Sequence, residues 1–581
     1  MPLNKSIKKG IYQWRFYSVI VVLSTLVGAI LWRLVNIQIL PGEDQGFEFL
    51  QSQGLARTLR TEVIPAHRGV ITDRHGEPLA VSTPVISIWA DPEKLLNARQ
   101  RWPELLQAIA MNDDDLHRKL MSYKNKKFVY LRRQLTPADA EAILDLKING
   151  IYSQQEYRRF YPAGEVTAHL VGFTDIDDKG QEGIELSYDQ WLSGTRGSKQ
   201  VLKDLRGRII KDVGLLNAAS PGKDIVLSID LRLQYLAYKE LKAAVKAHHA
   251  QSGSLVVLDA HNGEVLAMVN QPSYNPNDRS RLSPDTLRNR AITDQFEPGS
   301  TMKPLTIMAA LESGRYSPTT AIDTHPGHIR VGDKTLLDPV NYGVIDVTKI
   351  ITKSSQVGLT KVSLDLEGDT IRDMFYRLGI GQSTGTGFPG EAVGILPNHS
   401  NWRPIVQANF SFGYGMTLTN LQLAQAYSVI ANQGIKRPVS MLKQQQAVAK
   451  QVIATKTARQ AIAMLKTVTQ SGGTAAIANL KDYPIAGKTG TIHKVGANGY
   501  ADDRYLSLFV GFAPADSARI VAAVVINEPS NGKYFGGEVA APVFARVVDN
   551  ALKLLQVPPS NNEQQLSKVA APATTSGEPS T

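Results

Sequence analysis

The chain has 581 residues, of which 43% are hydrophobic and 20% are charged, and it contains no cysteine. This composition is typical of a folded protein of two or three domains, and the lack of cysteine excludes disulfide bonds and thiolate metal sites. The formal net charge of +11 favours an anionic partner. No cluster of Lys and Arg with interleaved aromatic residues is present in the sequence, so binding of nucleic acid is not predicted.

An uncharged apolar segment lies near the N-terminus, where residues 16–32 read FYSVIVVLSTLVGAILW. A helix of this length nearly spans the hydrocarbon core of a bilayer. Basic residues precede the segment and, beyond Arg33, the next charges are acidic, which predicts a cytoplasmic N-terminus. A cleaved signal peptide is the alternative, but the segment is long for one and no small-x-small cleavage site follows it. We therefore predict a cytoplasmic tail at 1–15, a single transmembrane anchor at 16–38 and a linker at 39–63.

The next part of the chain, residues 64–222, is predicted to form a separate N-terminal module. It opens with IPAHRGVITDRHGEPLAVS, which alternates like two strands joined by a turn at the RHG triplet. Amphipathic blocks rich in Leu and Ala predict helices within residues 93–150. The stretch that follows, up to residue 225, is rich in glycine.

Residues 223–556 are predicted to form a second, larger domain. A strand and a long helix come first, and the segment SLVVLDAHNGEVLAMV then predicts a hairpin around the turn at 261–263. Another pair of apolar strands, LSLFVGFAPA and RIVAAVVINEP, closes the domain. Strands at both ends with helices between them indicate an α+β fold. Residues 557–581 are small and polar and are predicted to be disordered.

A candidate nucleophile lies in the segment FEPGSTMKP, where Ser300 follows a Pro-Gly stop and Lys303 comes three positions later. Residues i and i+3 share one face of a helix, so the lysine amine can act as the base that a serine nucleophile needs. The free N–H groups at a helix N-terminus can contribute to an oxyanion hole. The alternative, a capping serine beside a solvated lysine, stays open from this stretch alone.

The S-x-x-K pattern is weak, because the chain contains it five times. The context favours Ser300, since only this copy combines a sharp stop with a following segment of helical period, which ends near Gly314. The five copies begin at Ser6, Ser220, Ser300, Ser440 and Ser530.

A second motif, YPIAGKTGT at 483–491, holds the only K-[ST]-G triplet of the chain. It lies in an apolar, strand-like run, which would present Lys488, Thr489 and Thr491 along the edge of a sheet. A cation and hydroxyl groups on an edge strand can bind a peptide with a carboxylate end that lies alongside as an added strand.

S-x-x-K followed by K-T-G resembles the serine acyl transferases that react with penicillin. Between the two motifs that family carries a Ser-x-Asn triplet, and the segment ITKSSQVG supplies Ser354, Ser355 and, in place of the asparagine, Gln356. RGVITDRHGEPLA, RRFYPAGEVTAHLVGFTD and GQEGIELSYDQWLSGTRG resemble the N-terminal module of class B penicillin-binding proteins. SFGYGMTLTNLQLAQAYSVIANQG and GKYFGGEVAAPVF resemble their transpeptidase domain. The chain is thus identified as a member of class B, most similar to the cell-division transpeptidases.

The resemblance implies an elongated non-catalytic dimerisation (pedestal) module and a transpeptidase domain with an antiparallel sheet flanked by helices. It also implies that the reaction is cross-linking of peptidoglycan stem peptides during septal cell-wall synthesis. Ser300 would attack the D-Ala-D-Ala amide of a donor peptide, with Lys303 as the base. Ser354 would relay a proton to the leaving amine, and Lys488 would support it electrostatically.

By the same resemblance, the substrate would be bound by the strand that carries Thr489, Gly490 and Thr491, whose threonines would hold the terminal carboxylate. Gln356 would hold the substrate amide or orient the catalytic lysine. The oxyanion hole would be formed by the backbone N–H groups of Ser300 and Thr491.

The implied ligands are pentapeptide stems, and β-lactams as covalent inhibitors, with no metal or organic cofactor. The implied location is the bacterial inner membrane, with one membrane pass, a cytoplasmic N-terminus and a periplasmic catalytic domain. Divisome proteins, including a lipid II polymerase of the FtsW type, are the implied partners, and nucleic acid is not one.

Two other functions remain open from the sequence. Gln356 in place of asparagine favours an acylatable but catalytically impaired scaffold or β-lactam sensor. A D,D-carboxypeptidase or β-lactamase would use water in place of the acceptor amine. The motif GTGFPG at 385–390 matches G-x-G-x-x-G, but Pro389 disfavours the helix that a dinucleotide site requires.

Several charged and aromatic residues have predicted roles outside the motifs. Arg68, Asp73 and Arg158 are expected to hold the N-terminal module together by paired charges. Glu297, beside the nucleophile, is expected to have a surface role, with tuning of Lys303 as the alternative, and Tyr414 is expected either in the core or along the cleft.

Overall fold

The computed structural model describes residues 13–39, 48–49, 54, 59–203, 209–444, 448–496 and 499–560. The chain divides into two compact units. One comprises residues 1–66 and 194–221, and the other comprises residues 67–193 and 222–581.

The described strands and helices form an α+β arrangement with an antiparallel sheet, as predicted. The strands are β1 Leu59–Ile64, β2 Ile71–Thr72, β3 Pro78–Ala90, β4 Val129–Leu135, β5 Ile151–Phe160, β6 Gly197–Lys203, β7 Ile209–Asn217, β8 Ile225–Val226, β9 Ser252–Asp259, β10 Val265–Gln271, β11 Ala321–Asp323, β12 His328–Val331, β13 Lys334–Leu337, β14 Val344–Asp346, β15 Ile435–Lys436, β16 Lys450–Gln451, β17 Ala486–Gly496, β18 Gly499–Ala513 and β19 Ile520–Asn527. The helices are α1 Gln13–Gln38, α2 Pro92–Asn97, α3 Trp102–Ile109, α4 Asp113–Ser122, α5 Pro137–Leu144, α6 Ala168–Val171, α7 Gly183–Ser187, α8 Asp189–Leu192, α9 Leu231–Ala247, α10 Pro284–Leu287, α11 Arg290–Thr293, α12 Lys303–Glu312, α13 Val347–Lys353, α14 Gln356–Leu364, α15 Gly368–Arg377, α16 Pro404–Ser411, α17 Asn420–Ala431, α18 Thr455–Thr469, α19 Gly536–Val539 and α20 Ala541–Leu554.

The first unit contains α1 and a three-stranded sheet of order β1-β6-β7. Within the part of the chain that the structure describes, α1 is the one helix long and apolar enough to cross a membrane, and none of its residues is buried. It includes the apolar segment at 16–32 that predicted the anchor. Both strand pairs of the small sheet are antiparallel.

The second unit begins with the predicted hairpin, in which β2 pairs with β3 and the RHG triplet lies at the turn. β3 continues as the centre of a sheet, with β4 on one side and β5 on the other. Helices α2 to α5 cover one face and bury a separate apolar cluster that includes Ile88, Leu95, Trp102, Leu116 and Ile143. The helices within 93–150 are thus confirmed, whereas β4 and β5 were not predicted.

A buried ion-pair network joins three segments of this N-terminal part. Nε of Arg68 donates to Glu185 at 2.6 Å, and Nε of Arg159 donates to the other oxygen of Glu185 at 2.6 Å. The prediction for Arg68 is confirmed, but the second arginine of the network is Arg159 and not Arg158. The reason is strand alternation, because neighbouring residues of β5 point to opposite faces and only Arg159 points inward.

The remaining charge of the predicted set, Asp73, lies at the turn of the first hairpin. Its carboxylate accepts hydrogen bonds from the backbone N–H groups of His75 and Glu77, and of Leu231 at the start of α9. Asp73 therefore stabilises a turn and a helix N-terminus instead of an ion pair.

A five-stranded antiparallel sheet of order β10-β9-β19-β18-β17 forms the centre of the larger part of this unit. Helices cover both of its faces. A Cβ at Gly253 would contact Leu241 of α9, whereas the next residue, Ser254, accepts a hydrogen bond from Asn420 of α17. Consecutive strand residues point to opposite faces, so α9 and α17 lie on opposite sides of the sheet.

The strand with the K-T-G triplet, β17, lies at the edge of this sheet, as predicted. Among the described strands it pairs only with β18. Its free edge is the place where the segments that carry the other predicted site residues meet.

Candidate active site

Ser300 lies on a 3-10 turn, Gly299–Met302, and Lys303 is the first residue of α12. The predicted α-helix thus begins three residues later than the serine. The local cause is the sequence, because Gly299 has φ +54° and Pro304 occupies the first turn of α12. Since side chains at i and i+3 of a 3-10 turn are eclipsed, the altered geometry still puts both residues on one side.

The nucleophile turn is held in place by buried contacts. Tyr427 donates a hydrogen bond from its hydroxyl to the carbonyl of Thr301 at 2.7 Å. A Cβ on Gly299 would lie 2.6 Å from Cγ1 of Ile492, on β17. A glycine is therefore required before Ser300, both for its φ angle and for its closeness to the strand.

The amine of Lys303 is buried, with 1% of the residue exposed. It donates to the carbonyl of Ser354 at 2.6 Å and lies 3.2 Å from the Ser354 hydroxyl. Burial lowers the pKa of Lys303 to about 7, and the charge of Asp338 opposes this shift in part. A substantial fraction of Lys303 is therefore a neutral amine, and able to accept a proton, near pH 7.

Ser300 itself is partly exposed, and in the described part of the chain its hydroxyl has no hydrogen-bond partner. The serine is therefore open to the cleft and not sealed within the core. The structure brings the amine of Lys303 against Ser354 directly, and Ser300 and Lys303 lie on one side of the same turn.

The Ser-Ser-Gln triplet lies between two helices. Ser354 ends α13 in the left-handed conformation, with φ +58°, and Ser355 caps the N-terminus of α14 by accepting from the N–H of Gly358. A residue that the sequence analysis missed, Asp338, accepts from the Ser355 hydroxyl at 2.6 Å and from the N–H of Gln356 at 2.5 Å. Its carboxylate fixes the loop that aims Ser354 at the lysine.

The side chain of Gln356 is partly exposed and forms no hydrogen bond with any described residue. Lys303 is bound by Ser354 and not by Gln356. Of the two roles predicted for Gln356, orientation of the lysine is not seen, and its carboxamide is available to a ligand.

On β17, Lys488 is fully buried and its amine lies 3.3 Å from the carbonyl of Thr489. Burial, together with repulsion from Lys303, lowers the pKa of Lys488 well below its usual value. The Thr489 hydroxyl contacts that of Thr474 at 3.0 Å, and the Thr491 hydroxyl accepts from the N–H of Gly536 at 2.9 Å.

Gly490 links the strand to the nucleophile turn. A Cβ at this position would lie 3.1 Å from Cγ2 of Thr301, the residue after Ser300. The edge strand, the turn and the Ser354 loop therefore lie next to one another. Thr474 and Asp338 are the contributors that the sequence did not reveal, because neither lies in a motif or in a periodic pattern.

Comparison with known proteins identifies the family of the chain. Residues 253–549 match the penicillin-binding protein transpeptidase domain, and residues 63–227 match the penicillin-binding protein dimerisation domain. The chain is 41% identical over 549 residues to the probable peptidoglycan D,D-transpeptidase PbpC of Pseudomonas aeruginosa, which covers 94% of this chain and 96% of that one. It is 40% identical over 568 residues to the peptidoglycan D,D-transpeptidase FtsI of Escherichia coli K12, and the match covers 96% of this chain and 95% of that one.

Solved structures give the same result. The transpeptidase domain of Burkholderia pseudomallei penicillin-binding protein 3 is 40% identical, with a TM-score of 0.53, and covers 57% of this chain and 97% of that one. Penicillin-binding protein 3 of Mycobacterium tuberculosis, solved with aztreonam, is 28% identical, with a TM-score of 0.67. The match covers 86% of this chain and 98% of that one. From its motifs, its site geometry and these matches, the chain belongs to the class B penicillin-binding proteins.

Proposed function

We propose that the protein is a membrane-anchored peptidoglycan D,D-transpeptidase that cross-links stem peptides during septal cell-wall synthesis and is acylated by β-lactams. The observation that supports this best is the buried Lys303, whose pKa is about 7, one 3-10 turn from a serine that is open to the cleft. A serine hydroxyl needs such a base to become a nucleophile at neutral pH.

In the acylation step, the Ser300 oxygen attacks the carbonyl of the penultimate D-Ala while its proton passes to the neutral amine of Lys303. The negative charge that develops on the carbonyl oxygen is stabilised by the N–H groups of Ser300 and Thr491. Each such donor contributes about 3–4 kcal/mol to transition-state stabilisation. The closeness of Gly490 to Thr301 supports this pairing of donors.

Collapse of the tetrahedral intermediate breaks the amide bond and releases D-alanine. The leaving amine takes up a proton from the Ser354 hydroxyl, which is replenished by Lys303 at 3.2 Å. Lys488, buried beside the same groups, supports the relay electrostatically. The side-chain amine of a second stem then attacks the acyl-enzyme, and the same groups carry the protons in reverse.

The donor peptide binds along the free edge of β17, with its terminal carboxylate at Thr489 and Thr491 and its amide at Gln356. The contact of the Thr489 hydroxyl with Thr474 supports this orientation, because it holds the hydroxyl at the cleft. Binding as an added strand uses the backbone groups that β17 leaves unpaired.

The catalytic domain lies in the periplasm, with the N-terminus in the cytoplasm, and the enzyme works with a lipid II polymerase of the FtsW type. The excess of basic residues before the apolar helix supports this orientation. The chemistry requires no nucleotide, since the energy of the new peptide bond comes from the bond that is broken.

The nucleophile is tested with a fluorescent penicillin. Ser300→Ala abolishes covalent labelling of the full-length protein, whereas Ser530→Ala, which alters another S-x-x-K copy on the surface, leaves it intact. Labelling that persists in Ser300→Ala overturns the assignment. Cross-linked products from lipid-linked precursor and a partner glycosyltransferase then distinguish a transpeptidase from an acylatable scaffold, which forms none.

A further inference from the structure

Glu297 lies three residues before Ser300, and both of its carboxylate oxygens are occupied by groups from other segments. One oxygen accepts from the backbone N–H of Gly415 at 2.8 Å. The other accepts from the hydroxyl of Tyr500 at 2.9 Å. The carboxylate thus joins the nucleophile segment to two parts of the chain that are more than 100 residues away.

The Gly415 contact ties the segment to the loop that lies against the nucleophile turn. The N–H of Gly299 donates to the carbonyl of Gly413 at 3.3 Å. A Cβ at Gly413 would lie 2.7 Å from the carbonyl oxygen of Gly299, so the loop is in direct contact with the turn. A bond from Glu297 to this loop therefore restrains the turn that carries Ser300.

The Tyr500 contact ties the same carboxylate to the edge strand. Tyr500 pairs with Val495 across the β17–β18 hairpin, and the ring of His493 donates from Nδ1 to the carbonyl of Ala501 at 2.9 Å. β17 also carries Thr491, whose N–H is one of the two proposed oxyanion donors. Movement of the hairpin relative to the turn would separate this donor from the N–H of Ser300.

Neighbouring aromatic packing makes the connection rigid. The rings of Tyr414 and Tyr500 meet edge to face, with centroids 5.9 Å apart. Phe296, the residue before Glu297, packs against a buried cluster that includes Ile492 of β17. The position of the Glu297 carboxylate is therefore fixed by its neighbours. The sequence had predicted a surface role for this residue.

From these contacts we infer that Glu297 is a positioning residue that holds the N–H groups of Ser300 and Thr491 at a fixed separation, so that the oxyanion hole is formed before the substrate binds. The inference rests on the proposed acyl-transfer function and adds a residue to it. Preorganised donors act without reorganisation in the transition state, so the effect should appear in the acylation step and not in ligand binding.

The test measures the acylation rate constant and the dissociation constant separately, by stopped-flow reaction of the full-length protein with a chromogenic cephalosporin. Tyr500→Phe removes one hydroxyl and is expected to lower the acylation rate constant about tenfold to hundredfold, since small misplacements of reacting groups have effects of this size. The dissociation constant and the pH profile should stay unchanged, because Lys303 is not touched.

Glu297→Ala should lower the acylation rate constant at least as much as Tyr500→Phe does. Glu297→Gln should retain most of the rate constant of the unaltered protein, because the amide can still accept from the N–H of Gly415 and donate to the Tyr500 oxygen. The matched control is Tyr376→Phe, which alters an exposed tyrosine whose hydroxyl has no described partner. If Glu297→Ala fails to fold, Tyr500→Phe decides. An unchanged rate constant in Tyr500→Phe, or a loss confined to the dissociation constant, overturns the inference. Neither result touches the proposed function, which is tested by labelling of Ser300→Ala and by the formation of cross-linked products.

Discussion

The second unit buries two pairs of cations, and the pairs have opposite surroundings. In the N-terminal part, the Arg68 and Arg159 side chains are each 1% exposed and share the carboxylate of Glu185. In the cleft, Lys303 is 1% exposed and Lys488 is 0% exposed. Burial is therefore the same at both places, and the difference lies in the partners.

The arginines are neutralised, whereas the lysines are not. Glu185 binds both guanidinium groups, and Asp189 adds a further contact to Arg68 at 2.7 Å. Among the described residues, neither lysine amine forms an ion pair. Lys303 contacts the carbonyl and hydroxyl of Ser354 and lies 5.5 Å from the centre of the Phe412 ring, and Lys488 contacts Thr489. The carboxylate of Asp338 is already bound by Ser355 and backbone N–H groups.

The consequence is a division of roles. A buried charge with a partner joins distant segments, and loss of the partner is costly. A buried amine without one has a lowered pKa, and such an amine can act as a base. The comparison teaches that pairing, and not burial alone, separates the structural cations of this protein from the proposed catalytic ones.

The largest expected effect comes from Lys303→Met. Loss of the base should lower the rate of penicillin acylation by about 10²–10⁴-fold, the range typical of general-base catalysis. The free energy of unfolding should not fall, because the buried amine that is removed has no ion-pair partner among the described residues. Acylation kinetics and thermal unfolding measure the two outcomes, with the exposed Lys553→Met as a control. A rate close to that of the unaltered protein would contradict the proposed role.

The opposite outcome is expected for Glu185→Gln in the arginine pair. Two buried guanidinium groups lose their shared counter-charge, and breaking a buried ion pair costs about 3–5 kcal/mol. Chemical denaturation should show this loss. Residual protein that is still folded should retain a normal acylation rate constant. Glu104→Gln, which removes the surface partner of Arg101, should leave the unfolding midpoint unchanged. An equal shift in both variants would refute the distinction.

A third effect is the pH dependence of acylation. Since the pKa of Lys303 is about 7, the neutral amine becomes scarcer as the pH falls below 7 and predominates above it. The acylation rate constant should fall about tenfold per pH unit below the pKa and level off above it. Stopped-flow measurements over about 1.5–2 pH units on either side of the pKa test this. A flat profile would show that Lys303 is not the base.

The smallest effect is expected for Gln356→Asn. Because Lys303 binds Ser354 and not Gln356, the pH profile should not move. Acylation by benzylpenicillin, which carries a side-chain amide, should change by less than about tenfold, the scale of one hydrogen bond. Acylation by 6-aminopenicillanic acid, which lacks that amide, should not change. A shifted pH profile would show that Gln356 does orient the lysine.

The sequence predicted the chemistry better than it predicted the geometry. The edge position of β17 and the apolar helix were predicted correctly. The helix start was wrong by one turn, because the positive φ of Gly299 produces a 3-10 turn before α12. The prediction that Arg158 forms a buried ion pair was wrong. Which of two neighbouring strand residues is buried depends on which face of the strand is covered, and the acidic partners come from α7 and α8.

Asp338 and Thr474 were missed for a related reason. Asp338 contacts the Ser355 loop 17 residues further along the chain, and Thr474 contacts Thr489 at a distance of 15 residues. Neither contact follows the period of a helix or a strand, so no local pattern indicates it.

By itself, the sequence determined the features that depend on near neighbours in the chain: the apolar helix, the strand pairs and the spacing of serine and lysine across one turn. The tertiary structure alone decided which buried cations have an ion-pair partner and which do not, and hence that Lys303 has a pKa of about 7. The physical reason is that the pKa depends on desolvation and on charges that distant segments bring together.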